Sequence, residues 1–399
     1  MKPAAARTLR LRLRASAESI IRSGHPWIFA ESIKEQNRAG KAGELAIIFD
    51  RNDKFLAVGL YDPDSPIRVR VLHTGKPVMI DAEFWRNRFA QALALRQFGA
   101  DTTGYRCIHG EGDGFPGLVL DRYGETFVAK IYTAPWLSRF EEILPLIQEL
   151  PECERIVLRH SKHLRGEDRI VFGPPLEGAV VFAENGIRFE ADVLRGQKTG
   201  FFLDQRENRQ IVESLAKDRD VLNAFSFSGA FSAYAMRGGA ATTTDLDISA
   251  HALASARRNL QLNVLEQAER HLTVQADTFE YLARTPDRKY GLIILDPPSL
   301  AKRAVEKEGA LAAYRRLFLS SLPWLAPNGI VVAASCSAHV TPEEFFGLVT
   351  KLSVANGLKE FRRTENPPDH PATFPEARYL KCIYVRREGA EGRSRPAVF

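Results

Sequence analysis

Apolar and polar positions alternate with a period of two through the opening of the chain. In "TLRLRLRA", Leu9, Leu11 and Leu13 alternate with Arg10, Arg12 and Arg14, so a strand there presents one apolar face and one row of guanidiniums. "ELAIIFD" and "FLAVGLYD" predict two further strands, and in "IRVRVL" Arg68 and Arg70 repeat the alternation. The pattern predicts a small β barrel with a basic flank over residues 1–76. That flank suits either a nucleic-acid contact or the solvated face of an ordinary sheet, and the alternation alone favours neither. The period then changes. "DAEFWRNRFAQALALRQF" sets Phe84, Phe89, Leu93 and Leu95 near helical spacing, and "GEGDGFPGLVLDRYGETFVAKIY" reads as two strands joined at a Tyr123–Gly124 turn. Gly110, Gly112, Gly114 and Gly117 are followed by a strand and not by a helix, which makes them turn chemistry and not a phosphate loop. Residues 77–181 are therefore expected to form a small α+β domain.

From residue 182 to 399 the pattern changes again. "DVLNAF", "ATTTDLD", "LTVQAD", "YGLIILD" and "GIVVAAS" are short apolar runs separated by helical stretches, as in a parallel sheet buried on both faces. The expected fold class is α/β, with a Rossmann-like, mostly parallel sheet in this third region. Ligands of such sheets bind outside the carboxyl ends of the strands, so the residues closing each run are the candidates for chemistry.

Composition narrows the class of protein without naming a function. A chain of 399 residues exceeds one ordinary core of about 100–200 residues. With 45% hydrophobic and 26% charged residues it reads as a soluble globular protein. The basic opening "MKPAAARTLRLRLRAS" lacks the apolar stretch of a signal peptide, and no run reaches the ~18 apolar residues of a membrane span, so a cytoplasmic protein without a membrane partner is expected. The four cysteines, Cys107, Cys153, Cys336 and Cys382, include no close pair. A disulfide scaffold, a structural zinc site and any other metal centre are not expected. The net charge of +6 only tilts the balance toward a nucleic-acid partner.

The first run of the third region closes into "NAFSFSGAFS", with Gly229 opening a helix. One glycine stands where a dinucleotide fingerprint needs three, which suits a cofactor without a pyrophosphate. The second run closes at Asp245 and Asp247 ahead of Ser249, a helix cap, and the third at Asp277. Any single aspartate in such a place reads first as a cap; three in succession shift the balance to a nucleoside pocket, in which a carboxylate accepts ribose hydroxyls. In "LDPPSLAK" two prolines hold Asp296 extended and leave carbonyls as acceptors, a corner fit to meet the amino edge of a base. Neighbouring fourth and fifth strands would bring Cys336, in "VVAASCSAH", to the same cleft. Asp204 and Glu207 predict a capping box on the helix that follows "TGFFLDQR".

Taken together, "HPWIF", "GEGDGFPGLVLDRYG", "GQKTGFFLDQRENR", "NAFSFSGAFS", "DISAHALASARRNLQLN", "LDPPS", "SCSAH" and "DHP…PEARYLK" resemble, in order and over nearly the whole chain, the RlmI/RlmK-like methyltransferases of 23S ribosomal RNA. The resemblance implies S-adenosylmethionine as cofactor and a PUA-like first region that binds RNA through Arg10, Arg12 and Arg14. It also implies the branch that makes 5-methylcytidine. Carried over, Phe225, Ser228 and Gly229 form the cofactor loop, Asp247 holds the ribose, Asp277 meets the adenine, and Phe201 and Arg206 line the cofactor side. Asp296 stands near the methionine end and the target base, and Cys336 is the nucleophile. That chemistry needs a thiolate, which Ser335 and Ser337 are placed in sequence to support, with His339 or Asp296 as candidate bases. The competing readings are methylation of a guanine nitrogen with Cys336 merely packed, and a non-catalytic RNA-binding assembly factor. The expected partner is 23S ribosomal RNA, free or in a partly assembled large subunit, and a homodimer is left open.

Overall fold

The computed structural model describes residues 8–263 and 269–387. They fall into two compact units. The first holds the chain up to Ala183 together with Ala191–Leu203 and Pro368–Phe374, and the second holds Glu184–Glu190, Asp204–Pro367 and the chain from Pro375 onward.

In the first unit the period-two opening becomes β1 (Leu9–Leu13), followed by α1 (Ala15–Arg22), β2 (Trp27–Phe29), β3 (Ile33–Gln36), β4 (Leu45–Phe49), β5 (Phe55–Tyr61) and β6 (Ile67–Thr74). They form one mixed sheet in the order β2-β6-β5-β4-β1-β3, with β1 parallel to β4. Leu9, Leu11 and Leu13 are buried with Ile48, Ala57 and Val69, each leucine contributing about 2 kcal/mol of burial. The alternation expected to continue through Arg70 does not. Arg70 is buried and donates to the Ile67 carbonyl at 3.3 Å, because β6 is covered on both faces there.

Helix α2 (Ala82–Ala94) is capped by Asp81, whose carboxylate accepts the Phe84 N–H. Its buried residues are Trp85, Phe89 and Ala92, whereas Leu95 lies beyond the helix with 59% of its surface exposed. The expected stripe was thus rotated: the large indole of Trp85 takes the central position, stacked on Phe115. A five-stranded sheet follows. β7 (Gly104–His109), β8 (Leu118–Tyr123), β9 (Thr126–Ile131), β10 (Arg155–His160) and β11 (Arg169–Phe172) run in spatial order β11-β10-β9-β8-β7, with α3 (Pro135–Arg139) and α4 (Leu144–Gln148) between β9 and β10. The glycine cluster is turn chemistry, with Gly114 and Gly117 both at φ +75°. A two-stranded sheet of β12 (Val180–Glu184) and β13 (Ile187–Ala191) lies where the chain leaves one unit for the other.

The second unit continues with α5 (Arg206–Leu215), β14 (Asp220–Ala224), α6 (Ala230–Arg237), β15 (Thr242–Asp247), α7 (Ala250–Gln261), β16 (His271–Gln275), α8 (Thr278–Leu282) and β17 (Tyr290–Leu295). It ends with α9 (Lys307–Ser321), β18 (Leu325–Ser335), α10 (Pro342–Ala355), β19 (Leu358–Thr364) and β20 (Lys381–Arg387). The sheet order is β16-β15-β14-β17-β18-β20-β19. The first five strands are parallel, and β20 is antiparallel to both its neighbours. Successive residues bury opposite faces: Leu222, Ile293, Val331 and Ile383 pack with α9 and α10, while Val221, Leu292, Val332 and Tyr384 pack with α5 and α6. Because order reverses between β14 and β17, a crevice is expected outside their carboxyl ends. Among the described residues no helix is long and apolar enough to cross a membrane.

Candidate cofactor and catalytic site

The segment leaving β14 is held in an uncommon conformation. Phe225 at φ +60°, Phe227 at φ +47° and Gly229 at φ +70° all lie in the left-handed region, which costs a side-chain-bearing residue about 1–3 kcal/mol. The surroundings impose it. Ser226 N–H donates to the Leu246 carbonyl at 3.1 Å, Phe227 N–H to Asp247 Oδ2 at 3.0 Å, and Asn259 Nδ2 to the Ser228 carbonyl at 2.8 Å. At Gly229 a Cβ would stand 2.6 Å from the Ala256 Cβ and 2.8 Å from Asp245 Oδ2, so only glycine fits. The hydroxyls of Ser226 and Ser228 are buried without a hydrogen-bond partner among the described residues. Leaving such a group unsatisfied costs about 1–3 kcal/mol, and a polar ligand seated on the loop removes that cost.

The two aspartates of β15 divide their work. Asp245 is fully buried and accepts from Asn223 at 2.8 Å, Ser232 at 2.6 Å and His271 at 2.8 Å, which makes it a scaffold residue. Asp247 is half-buried at the strand end. One oxygen takes the Phe227 N–H and the other the Ser249 N–H at 2.8 Å, and each carboxylate oxygen keeps a lone pair for a further donor. Asp277 caps α8 by accepting the Glu280 N–H at 3.0 Å. The cap reading and the strand-end position thus both hold for it.

Asp296 follows β17, where its N–H approaches the Ala224 carbonyl at 3.5 Å and its Oδ1 accepts Gln205 Nε2 at 2.9 Å. Gln205 is in turn fixed by Asn208 at 2.6 Å. Cys336 follows β18, with Sγ 3.9 Å from the Pro297 carbonyl of the same corner. The adjacency of the fourth and fifth strands therefore brings the DPP corner and the half-buried sulfur together. The other thiols are disfavoured as thiolates. Burial pushes Cys382 up to about 12, Cys153 up to about 11 and Cys107 higher still.

The flanking serines differ from expectation. Both hydroxyls are engaged by Tyr314, at 2.9 Å for Ser335 and 3.0 Å for Ser337, and Ser337 Oγ also accepts the Leu300 and Ala301 N–H groups. They build the turn that carries the sulfur. His339 is exposed in the following turn. Gln205 occupies the cap of α5 without a side-chain cap, and Asp204 accepts the Tyr379 hydroxyl at 2.7 Å. Arg206 is buried in the first turn of α5. Phe201 belongs to the first unit, where its ring meets Phe182 edge-on. On β1, Arg10 is exposed over the Phe49 ring, and Arg12 is tied to Asp53 and to Glu35. Arg14 lies beyond the strand, at the start of α1, and is exposed. Gln205 and Lys381 went unnoticed in the sequence; a lysine inside the apolar run "YLKCIYV" was the available signal.

Among the described residues no cluster of His, Cys, Asp and Glu is arranged to hold a metal. The site is a carboxylate-lined strand edge with a strained, glycine-poor loop and a half-buried sulfur, an arrangement suited to a nucleoside-bearing cofactor. Residues 150–386 match the S-adenosylmethionine-dependent methyltransferase family and residues 11–74 match PUA-like domains. The chain belongs to the S-adenosylmethionine-dependent methyltransferases, with S-adenosylmethionine as cofactor. It is similar to a ribosomal RNA large subunit methyltransferase of Deinococcus radiodurans, 50% identical over 95% of this chain and 98% of that one. A ribosomal RNA large subunit methyltransferase I of Tolumonas auensis is 34% identical over 94% and 98%. Among solved structures, a Streptococcus mutans protein assigned to the S-adenosylmethionine-dependent methyltransferases superposes with a TM-score of 0.82, covering 95% of this chain and 100% of that one at 23% identity.

Proposed function

We propose that this chain methylates carbon 5 of a cytosine in large-subunit ribosomal RNA through a transient bond between Cys336 Sγ and carbon 6 of the base. The substrate follows from the relatives, which are named as large-subunit ribosomal RNA methyltransferases over nearly their whole length. The single observation that carries the chemistry is Cys336 Sγ beside the Pro297 carbonyl at the sheet edge, 3.9 Å away, while Cys107 and Cys382 are buried.

Carbon 5 of cytosine is a weak nucleophile. Addition of the Cys336 thiolate to carbon 6 moves the ring electron pair toward carbon 5. S-Adenosylmethionine, when bound, supplies an electrophilic methyl group. Loss of the carbon 5 proton to a base then returns the electron pair to the ring and expels Cys336 as thiolate. Asp296, oriented by Gln205, accepts the cytosine amino group. Phe225, Ser228 and Gly229 form the cofactor loop, Asp247 accepts the ribose hydroxyls, Asp277 meets the adenine edge, and Arg206 completes the cofactor side. Arg10 and Arg14, both exposed, carry the RNA contact, with Arg12 held back in its ion pairs.

Two experiments test this reading. RNA containing 5-fluorocytidine blocks the final proton loss, so a stable protein–RNA adduct forms with wild-type enzyme and not with Cys336→Ala; methyl transfer to the natural RNA without any adduct on the analogue overturns the mechanism. For the cofactor, Asp247→Asn removes the carboxylate charge while keeping its size, and calorimetry is expected to show S-adenosylmethionine binding weakened by about 10- to 100-fold, the range of one to two charge-assisted hydrogen bonds. Unchanged affinity would remove Asp247 from the ribose site.

A further inference from the structure

Lys381 is a buried charged group that this mechanism leaves unused. It is fully buried at the start of β20, opposite Ser335 in the antiparallel ladder. Its Nζ passes under the sulfur-bearing turn and donates to the Ser337 carbonyl at 2.7 Å and to the Val340 carbonyl at 2.8 Å. Among the described residues no carboxylate pairs with it. The two carboxylates that act on it electrostatically are engaged elsewhere, Glu344 with Lys307 at 2.7 Å and Glu365 with Arg378 at 2.9 Å. A buried ammonium costs several kcal/mol relative to water, and a methionine of similar length would fill the space without that cost. Its position on the two carbonyls of the turn that follows Cys336 gives the charge a use.

We infer that Lys381 is the positioning residue of this site, holding the 336–340 turn by its two carbonyl bonds and acting as the counter-charge that keeps Cys336 as a thiolate. The inference rests on the reading of Cys336 as the nucleophile. Burial first, opposed by the Cys336 sulfur, Glu365 and Glu344, lowers Lys381 to about 8. The lysine is therefore still a cation at neutral pH, its support for the thiolate is present below about pH 8, and that support is lost as pH rises through this value. Tyr314, beneath the same turn, is pushed by burial up to about 12 and stays a neutral donor. It cannot replace the ammonium as a positive charge.

The test is alkylation of the full chain by iodoacetamide across pH, without RNA or methyl donor, read by mass spectrometry on the Cys336 peptide. Wild-type Cys336 is expected to titrate below the ~8.5 of an ordinary thiol. Lys381→Met raises the midpoint by about one pH unit or more, slowing alkylation at pH 7 about tenfold. Lys381→Gln, which keeps a hydrogen-bond donor but no charge, shows the same rise. An unshifted midpoint in Lys381→Met, or its full restoration by Lys381→Gln, overturns the role as counter-charge. If both variants fail to fold, as read by circular dichroism, the wild-type midpoint decides, and a value at or above about 8.5 overturns the inference. A normal thiol titration with no 5-fluorocytidine adduct instead overturns the reading of Cys336 as nucleophile.

Discussion

Cys336→Ala is expected to lower methyl transfer to large-subunit ribosomal RNA by more than about a thousandfold while leaving S-adenosylmethionine affinity unchanged. The size follows from the chemistry, since a nucleophile that opens the covalent path cannot be replaced by binding alone, and losses on removing one are of this order or larger. The specificity follows from geometry. Cys336 sits on the β17–β18 side of the switch point, against the Pro297 carbonyl, whereas the strained loop and Asp247 belong to β14 and β15. A half-buried thiol is a weak hydrogen-bonding group, so its exchange for a methyl affects folding little. Cys336→Ser separates nucleophilicity from packing: the hydroxyl fills the space but is not ionised, and its loss should match that of alanine. Single-turnover methylation with calorimetry on the same preparations provides the check. An alanine variant retaining more than about a tenth of wild-type turnover would show that the sulfur only packs, as expected if the target atom were a guanine nitrogen.

The parts of this molecule legible in its sequence are those written in local periodicity. The five apolar runs of the sheet are strands, and their order places Asp247, Asp277, Asp296 and Cys336 at one edge. Strand ends are short-range features, so the residues after each run could be read without tertiary information. Errors arose where long-range burial decides. Arg70 continues a period of two in sequence, yet its strand is covered on both faces. Leu95 fits a helical stripe, but Trp85 is the larger apolar body and fixes which face of α2 turns inward. The roles of Ser335 and Ser337 were equally out of reach, because the partner that engages them, Tyr314, arrives from α9. Gln205 and Lys381 share that history: each acts on a residue far away in the chain, across 91 positions for Gln205 and Asp296.

Arg209→Ala is expected to destabilise the protein by about 3–5 kcal/mol, the largest stability effect of any single replacement considered. Arg209 and Glu184 are both buried, and the guanidinium reaches both carboxylate oxygens, Nε to Oε1 at 2.7 Å and Nη2 to Oε2 at 2.6 Å. The Tyr234 hydroxyl donates to the same carboxylate at 3.0 Å, and burial followed by Glu184 pushes that phenol well up, so it stays a donor and carries no compensating charge. Truncating the arginine leaves an anion fully buried with neutral donors alone, which is the costly half of a broken pair. Replacing both partners, as in Glu184→Leu with Arg209→Met, removes the uncompensated charge and is expected to recover most of the loss; denaturant titration of the two single variants and the double variant measures the coupling. A single-variant loss below about 1 kcal/mol would mean that water reaches Glu184. The consequence extends to the chemistry, because Arg209 lies one turn into α5 and Gln205, at the cap of that helix, orients the Asp296 carboxylate. In Arg209→Ala the fall in methyl transfer should therefore exceed the fall in folded fraction, whereas a purely global effect would make the two equal.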